Sequence, residues 1–193
     1  MATRERQNES ALVCAARQGD KEALRLLLTR NWAWLKGLVY GIIADADEVD
    51  DVLQDVCVRV IEKVGSVRQP ERFRPWLAVL ARRQALRHRQ QKTRKPSPLG
   101  PELAEAECDE KAGRFGEQME RAEQCERILN AAKSLPEKYR EVFMMQYGGD
   151  LTYRQLAEIL DIPVTTVQIR LVRARRMIYD QVICKDASKV QER

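Results

Sequence analysis

The chain has 193 residues, of which 44% are apolar and 33% are charged. This is enough apolar material for one ordinary domain or two small ones, but no apolar run is long enough to span a bilayer, so we expect no membrane insertion. The 34 lysine and arginine residues exceed the 29 acidic ones by five. The polar first ten residues lack the apolar centre of a signal peptide, and we therefore expect a cytoplasmic chain.

Cysteine and histidine are too scattered to build a metal site. None of the five cysteines forms a CxxC pair, and His88 is the only histidine. We predict reduced cysteines, no metal and no cofactor. An enzyme would need a nucleophile with its base or two sets of metal-binding carboxylates, whereas the acids of residues 45–55 lie mainly on one predicted helix. We expect a protein that is not an enzyme.

The charges alternate in blocks along the chain. Residues 45–64 are mainly acidic, residues 68–95 carry ten basic residues and one acid, and residues 102–126 are acidic again. Residues 164–179 then carry four arginines and no acid. Two basic blocks predict two contacts with nucleic acid, and solvated helix faces are the alternative interpretation. The acidic stretch could cover a basic face in the free protein, which we keep as a hypothesis.

Helical periodicity dominates the first half of the chain. Asp20 is placed to cap a helix over residues 21–43, and a shorter helix is predicted over 11–17. A third helix is predicted over 48–63, where an apolar stripe opposes a polar face. The stripe consists of Val49, Val52, Leu53, Val56, Val60 and Val64.

A break over residues 65–75 precedes a fourth predicted helix. This helix begins at Phe73 or Pro75, ends near Arg89 and has an outward face that is almost wholly basic. We interpret Trp76 as a core anchor in preference to a stacking platform. The basic face either binds phosphates or keeps the surface solvated, and we favour phosphates.

Proline and acidic residues then interrupt the helical pattern. We predict a flexible linker over residues 93–117, followed by helices over 118–133 and 136–147, with a capping box between Ser134 and Glu137. The predicted fold class is therefore all-α, with two small helical domains over residues 8–92 and 118–182.

The sharpest local signal is a helix-turn-helix pattern over residues 151–176. Thr152 and Gln155 have capping-box spacing, a turn follows at residues 161–163, and Val167 and Leu171 form the apolar side of a second helix. Such a helix enters the major groove of DNA, and an ordinary helical hairpin is the alternative. The candidate DNA-binding residues of this helix are Thr165, Thr166, Gln168, Arg170, Arg173 and Arg176.

Four ordered blocks of this sequence resemble the signature blocks of bacterial sigma factors of the extracytoplasmic-function (ECF) group. The blocks are residues 51–60, 73–82, 135–143 and 151–176. The resemblance implies a transcription initiation factor whose N-terminal domain binds core RNA polymerase and the −10 promoter element. Its C-terminal domain would read the −35 element, and an anti-sigma factor would hold the protein inactive.

Matching by position assigns roles to individual residues. The helix that meets polymerase would contribute Asp51, Gln54, Asp55 and Arg59. The residues at the −10 element would be Trp76, Arg82, Arg83 and Arg87. Arg83 stands where many members have asparagine, so we leave the −10 sequence open. The helix-turn-helix residues named above would read the −35 element.

A free-standing helix-turn-helix regulator is the competing hypothesis. Such proteins bind operators tightly on their own, usually as dimers, but this sequence shows no heptad pattern for dimerisation. A sigma factor instead combines two weak DNA contacts through polymerase.

Overall fold

The computed structural model describes residues 2–94 and 117–191, with side chains over 8–92 and 125–182. Within these ranges the chain forms eight α-helices and no strand. The predicted all-α class is therefore confirmed. The predicted linker lies almost wholly outside the described residues.

The N-terminal half consists of four helices whose ends are set by local sequence. These are α1 (Ala2–Arg17), α2 (Lys21–Ile43), α3 (Ala46–Lys63) and α4 (Phe73–Arg94). The Asp20 carboxylate accepts hydrogen bonds from the backbone N–H groups of Glu22 and Ala23, so the predicted cap is confirmed. α4 continues five residues beyond the predicted end near Arg89.

The C-terminal half consists of α5 (Glu117–Lys133), α6 (Glu137–Gln146), α7 (Tyr153–Leu160) and α8 (Val164–Gln191). The prediction of a Ser134–Glu137 capping box was wrong. Pro136 is the N-cap of α6, and the Ser134 hydroxyl donates to the Ala131 carbonyl at 2.8 Å and lies 2.8 Å from Gln181 Oε1. The spacing fits the motif, but the proline takes the capping position and the hydroxyl finds other partners.

The two halves share one apolar core, which the sequence did not indicate. The buried stripe of α3 and the inward side chains of α4 belong to the same cluster as Val142, Met145, Leu156, Val167 and Leu171 of the C-terminal half. A second cluster lies within the C-terminal half, between α5, α6 and α8. The predicted boundaries at residues 92 and 118 stay predictions.

Helix α6 is the element that joins the halves. It packs across α2 at Gly37 and Gly41, where a Cβ added to Gly41 would lie 3.3 Å from the Cβ of Met144. The absence of side chains at these glycines permits the close approach. Arg140 of α6 donates from Nε to the Gly41 carbonyl at 3.0 Å.

Candidate nucleic-acid interface

The polar side of α3 faces solvent, opposite its buried stripe. Asp51, Gln54 and Asp55 are exposed, and Arg59 is partly exposed. Arg59 forms an ion pair with Glu62 at 2.8 Å, one turn further along the helix. The four residues assigned to polymerase binding therefore share one accessible surface, which a second protein can reach without rearranging the core.

Two apolar side chains on α3 extend this surface, and the sequence analysis missed them. Val58 is 53% exposed and Ile61 is 60% exposed. The sequence contained the information, because Val58 and Ile61 are apolar residues of α3 that do not belong to the stripe predicted to be buried. The two positions are three residues apart and are therefore neighbours on the helix surface, and contiguous exposed apolar area marks protein-interaction sites.

The candidate −10 residues of α4 lie in three different environments. Arg83 and Arg87 are exposed, and Arg87 borders a groove of about 260 Å³ between α3 and α4. Trp76 is half-buried, with its ring centroid 5.7 Å from that of Phe73. This placement agrees with a core anchor. Arg82 is covered by α6, where its Nε lies 2.8 Å from Glu141 Oε1.

The pairing of Arg82 is one of four ion pairs that join the halves among the residues whose side chains the structure describes. Arg74 Nη1 lies 3.2 Å from Asp150 Oδ2, and Arg72 Nη2 lies 3.7 Å from Glu158 Oε2. The fourth pair joins Arg89 to Glu137. Every arginine in this set comes from the basic block of the N-terminal half, and every acid comes from α6, α7 or the segment between them.

The far end of α4 is tied to the start of α3. The ammonium group of Lys92 forms ion pairs with Glu48 and with Asp45, the latter at 3.3 Å. Hydrogen bonds to these carboxylates, first Glu48 and then Asp45, raise the pKa of Lys92. His88, to which the sequence assigned no role, also contacts Glu48, with Nε2 3.2 Å from Oε2. These contacts hold the C-terminal end of α4 against the start of α3, within the N-terminal half.

The helix-turn-helix has the predicted local geometry. Thr152 accepts a hydrogen bond from the Gln155 N–H at 3.2 Å, and Gln155 Oε1 accepts one from the Thr152 N–H at 2.8 Å, which closes the capping box. Asp161 ends α7 in the left-handed conformation, with φ of 55°. Val167 and Leu171 are buried, as the pattern predicts, and hold α8 against the rest of the structure.

The opposite side of α8 is open to solvent. Thr165, Gln168, Arg173 and Arg176 are exposed. Thr166 and Arg170 lie at its margins and are partly buried. The structure therefore places all six candidate residues on or beside one surface of a helix that follows a tight turn.

This surface also carries apolar side chains that the sequence analysis missed. Ile169 is 52% exposed and Val172 is 62% exposed. Apolar groups on a helix in the major groove can contact the C5-methyl group of thymine. The sequence again contained the information, because both apolar residues lie outside the buried stripe that Val167 and Leu171 form.

Tyrosine hydroxyls hold two arginines of α8. Arg173 Nη1 donates to the Tyr139 hydroxyl at 3.4 Å, and Arg175 Nε donates to the Tyr147 hydroxyl at 3.0 Å. The hydrogen bond from Arg173 is the main reason that the pKa of Tyr139 is lowered. Neutral acceptors bind an arginine less strongly than carboxylates do, so these side chains can turn to a phosphate at small cost.

Other possible functional features, namely a reactive thiol, a metal site and a membrane-spanning helix, were considered in the described residues. Burial raises the pKa of the Cys57 thiol, which is unfavourable for a nucleophile. Across the described ranges, no group of histidine, cysteine and acidic residues is arranged to hold a metal ion. In the same part of the chain no helix is both long and apolar enough to cross a membrane.

Two family models match separate parts of the chain. Residues 27–95 match Sigma-70 region 2, and residues 125–178 match Sigma-70, region 4. The first match covers α3 and α4, and the second covers the helix-turn-helix.

Curated relatives match nearly the whole chain. The ECF RNA polymerase sigma-E factor of Haemophilus influenzae is 30% identical over 185 residues, which cover 92% of this chain and 97% of that protein. The RNA polymerase sigma-H factor of Pseudomonas aeruginosa is 30% identical over 178 residues, covering 89% and 92%.

Solved structures share the fold. The sigma factor RpoE of Bartonella quintana, solved in complex with the anti-sigma factor NepR, has a TM-score of 0.65 at 17% identity and covers 84% of this chain and 97% of that one. CnrH in complex with the cytosolic domain of CnrY has a TM-score of 0.58 at 21% identity, covering 91% and 97%.

Proposed function

This chain belongs to the ECF group of RNA polymerase sigma factors, and from that membership we propose which of its surfaces meet polymerase and which meet the promoter. A sigma factor binds core RNA polymerase and directs transcription initiation at specific promoters.

The −35 element is read by the exposed side of α8. The observation that carries this assignment is the combination of a closed capping box, a tight turn and an open helix surface that bears Gln168, Arg173 and Arg176. Glutamine and arginine can bind adenine and guanine edges through two hydrogen bonds. Arg173 and Arg176 lie further along α8 and suit phosphates, which fix the position of the helix without reading sequence.

The −10 element is bound by α4, through Trp76, Arg82, Arg83 and Arg87. Arg83 and Arg87 are exposed and lie one turn apart, so both can follow the backbone of a separated strand. Arg82 keeps 25% of its side-chain exposure and is paired with Glu141 of α6. Trp76 supports this surface from below through its contact with Phe73.

Core RNA polymerase is bound by the outer side of α3, through Asp51, Gln54, Asp55 and Arg59. Val58 and Ile61 add apolar area to this charged surface. The arrangement fits a protein partner better than DNA, because its centre is acidic and would repel phosphates.

The remaining proposals follow from membership of the family. The two functional units are residues 8–92 and 118–182, joined by the segment 93–117. The protein works in the cytoplasm, where its polymerase is, and acts by binding alone without catalysis. The sigma factor RpoE of Bartonella quintana, which shares this fold, was solved in complex with the anti-sigma factor NepR, and we propose that this chain has an anti-sigma factor as well.

Run-off transcription with core polymerase tests the DNA assignments. We expect Gln168→Ala to lower the preference for the native −35 sequence about 5- to 150-fold, since a base contact is worth roughly 1–3 kcal/mol. The Arg83→Ala/Arg87→Ala variant should lower output at every promoter. The matched control is Arg25→Ala, which removes an exposed arginine that forms an ion pair with Glu22 on the same helix.

Co-elution with core polymerase tests the polymerase assignment. Asp51→Lys/Asp55→Lys should abolish the complex, whereas Glu22→Lys on α2 should leave it intact. An intact complex with the α3 variant would overturn this part of the proposal. Tight operator binding by the free chain, with no complex at all, would favour the free-standing regulator.

A further inference from the structure

We propose that Ile169 and Val172 of α8 are specificity-determining residues that recognise thymine, through contact with its C5-methyl group in the −35 element. The inference rests on the assignment of the −35 element to the exposed side of α8, and it deepens that assignment. The polar and basic residues of this side can hydrogen-bond to adenine, guanine and phosphates. An aliphatic pair has no hydrogen-bonding group and recognises an apolar feature of the base.

Ile169 lies in the middle of the exposed side of α8. Val167 and Leu171, which form the buried stripe, are each two residues away from it along the chain. At 3.6 residues per turn, both point about 160° away from Ile169 around the helix. A side chain that points directly away from the protein is therefore aliphatic.

Val172 extends this position into an aliphatic pair. It follows Ile169 by three residues, and residues at this spacing are neighbours on a helix surface. Ile169 is 52% exposed and Val172 is 62% exposed. Each side chain therefore offers more than half of its surface to a partner that approaches this side of α8.

The residues around the pair favour DNA as that partner. Thr165 and Gln168 lie one turn before the pair, Arg173 and Arg176 lie one turn after it, and all four are exposed. Residues 164–179 contain four arginines and no acid. Such a surface attracts phosphates, whereas an apolar protein partner would desolvate the arginines without supplying an opposite charge.

The dimensions of the major groove place the pair against the edges of the bases. The groove is about 12 Å wide and admits one α-helix, so side chains in the middle of the inserted side meet its floor. Ile169 and Val172 are separated by about 4.5 Å along the helix axis, which is little more than one base-pair step of about 3.4 Å. The pair can therefore cover one base pair or two adjacent ones.

Thymine is the base that matches this aliphatic pair. It presents a methyl group in the major groove, where cytosine presents an amino donor and guanine presents two acceptors. Against aliphatic side chains, the polar groups of a G·C pair would lose water without gaining a hydrogen bond. The pair therefore favours A·T or T·A at the position that it covers.

Removal of single methyl groups from the promoter tests the proposal. Promoters are selected by the holoenzyme from a library with a randomised −35 element. The thymines of the selected element are then replaced, one at a time, with deoxyuridine, which lacks only the methyl group. We expect competitive run-off transcription to fall about fourfold for each methyl group that the pair contacts, the value for burying one methylene-sized group. Deoxyuridine between the −35 and −10 elements is the DNA control and should have no effect.

Truncation of the pair should abolish the sensitivity to deoxyuridine. Ile169→Ala/Val172→Ala should transcribe thymine and deoxyuridine templates equally, whereas Ile169→Val should keep part of the preference. Both side chains are more than half exposed, so the variants should fold normally. The matched control is Leu129→Ala, which truncates a 43% exposed aliphatic side chain of α5 and should keep the full preference.

The outcomes separate this inference from the −35 assignment. Equal transcription of thymine and deoxyuridine templates by the unaltered protein would overturn thymine recognition, even if Gln168→Ala still lowers the preference for the native −35 sequence. An undiminished preference in the double variant would also overturn it, and loss of co-elution with core polymerase would then show that the pair binds protein. If Gln168→Ala and Arg173→Ala/Arg176→Ala leave promoter selection unchanged, the −35 assignment fails, and the inference fails with it.

Discussion

Helices α4 and α8 both carry arginine-rich surfaces, but the protein treats the two surfaces in opposite ways. On α4 and the turn before it, four arginines are ion-paired with acids of the other half. On α8, Arg173 and Arg175 contact only tyrosine hydroxyls in the hydrogen bonds of the described residues. A basic helix in a sequence therefore does not reveal whether its surface is available, because availability depends on what packs against it.

The four ion pairs on the α4 side differ in strength. Arg72 and Glu158 keep 56% and 67% of their side-chain exposure, and such a surface pair contributes about 0–1 kcal/mol. Arg82 and Glu141 are largely withdrawn from water, so losing one partner leaves a poorly solvated charge. The Arg82–Glu141 pair is therefore the one whose removal should loosen the contact most.

The largest expected effect is on stability, when a buried side chain that packs α8 against the rest of the protein is truncated. Leu171→Ala removes a side chain that is 1% exposed, and we expect the free energy of unfolding to fall by about 2–5 kcal/mol. Urea denaturation measures this change. Val172→Ala, at a position that is 62% exposed on the same helix, is the control and should change stability by less than about 0.5 kcal/mol. Equal losses would show that α8 does not pack as described.

An intermediate effect is expected at the covered surface. Glu141→Gln removes the charge that faces Arg82, and we expect docking of the halves to weaken by about 1–3 kcal/mol, or roughly 5- to 150-fold. The effective concentration of the Gly41→Cys and Met144→Cys thiols, measured against glutathione, reports this change.

The control for this prediction is Glu62→Gln, which removes the acid of an exposed pair on α3. It should leave the effective concentration unchanged. Combining Glu141→Gln with Arg82→Gln should recover part of the loss, because no buried charge is then left without a partner. Additive losses in the double variant would show that the two side chains do not interact.

The smallest expected effect is at the hydrogen bond between Arg173, on the exposed side of α8, and the Tyr139 hydroxyl. Arg173→Ala removes the hydrogen bond that lowers the pKa of Tyr139, so this pKa should rise towards its ordinary value. Because the folded state favours the phenolate, the contact adds stability as the pH rises above the folded pKa of Tyr139, and the gain is lost as the pH falls through it.

Ultraviolet titration of phenolate absorbance measures this shift, with Tyr139→Phe identifying the signal. Arg176→Ala, on the same exposed side of α8, is the matched control and should leave the titration unchanged. A lowered pKa that persists in Arg173→Ala would contradict the assignment of its cause.

Local rules in the sequence predicted the parts of each surface that depend on near neighbours. The Asp20 cap, the Thr152–Gln155 capping box and the buried stripe of α3 were each readable, because their partners lie within a few residues or one helical repeat. The same reasoning failed at Ser134, where Pro136 and the distant Gln181 changed the outcome.

The acidic residues that cover α4 could not be identified from charge blocks. The hypothesis of a covering acidic stretch pointed to residues 102–126, most of which lie outside the described residues. The acids that do face the arginines are Glu137, Glu141, Asp150 and Glu158. They are spread over α6, α7 and the loop between them, and only folding brings them onto one side.

The sequence by itself determined the all-helical class, the helix-turn-helix and the family, since these depend on periodicity, capping and ordered motifs along the chain. Only the tertiary structure decided which basic side chains are covered. That outcome depends on Trp34 meeting Gly149 and on Arg82 meeting Glu141, contacts between residues more than fifty positions apart. Burial and Coulomb attraction act through space, and nothing in the local pattern of either partner specifies the other.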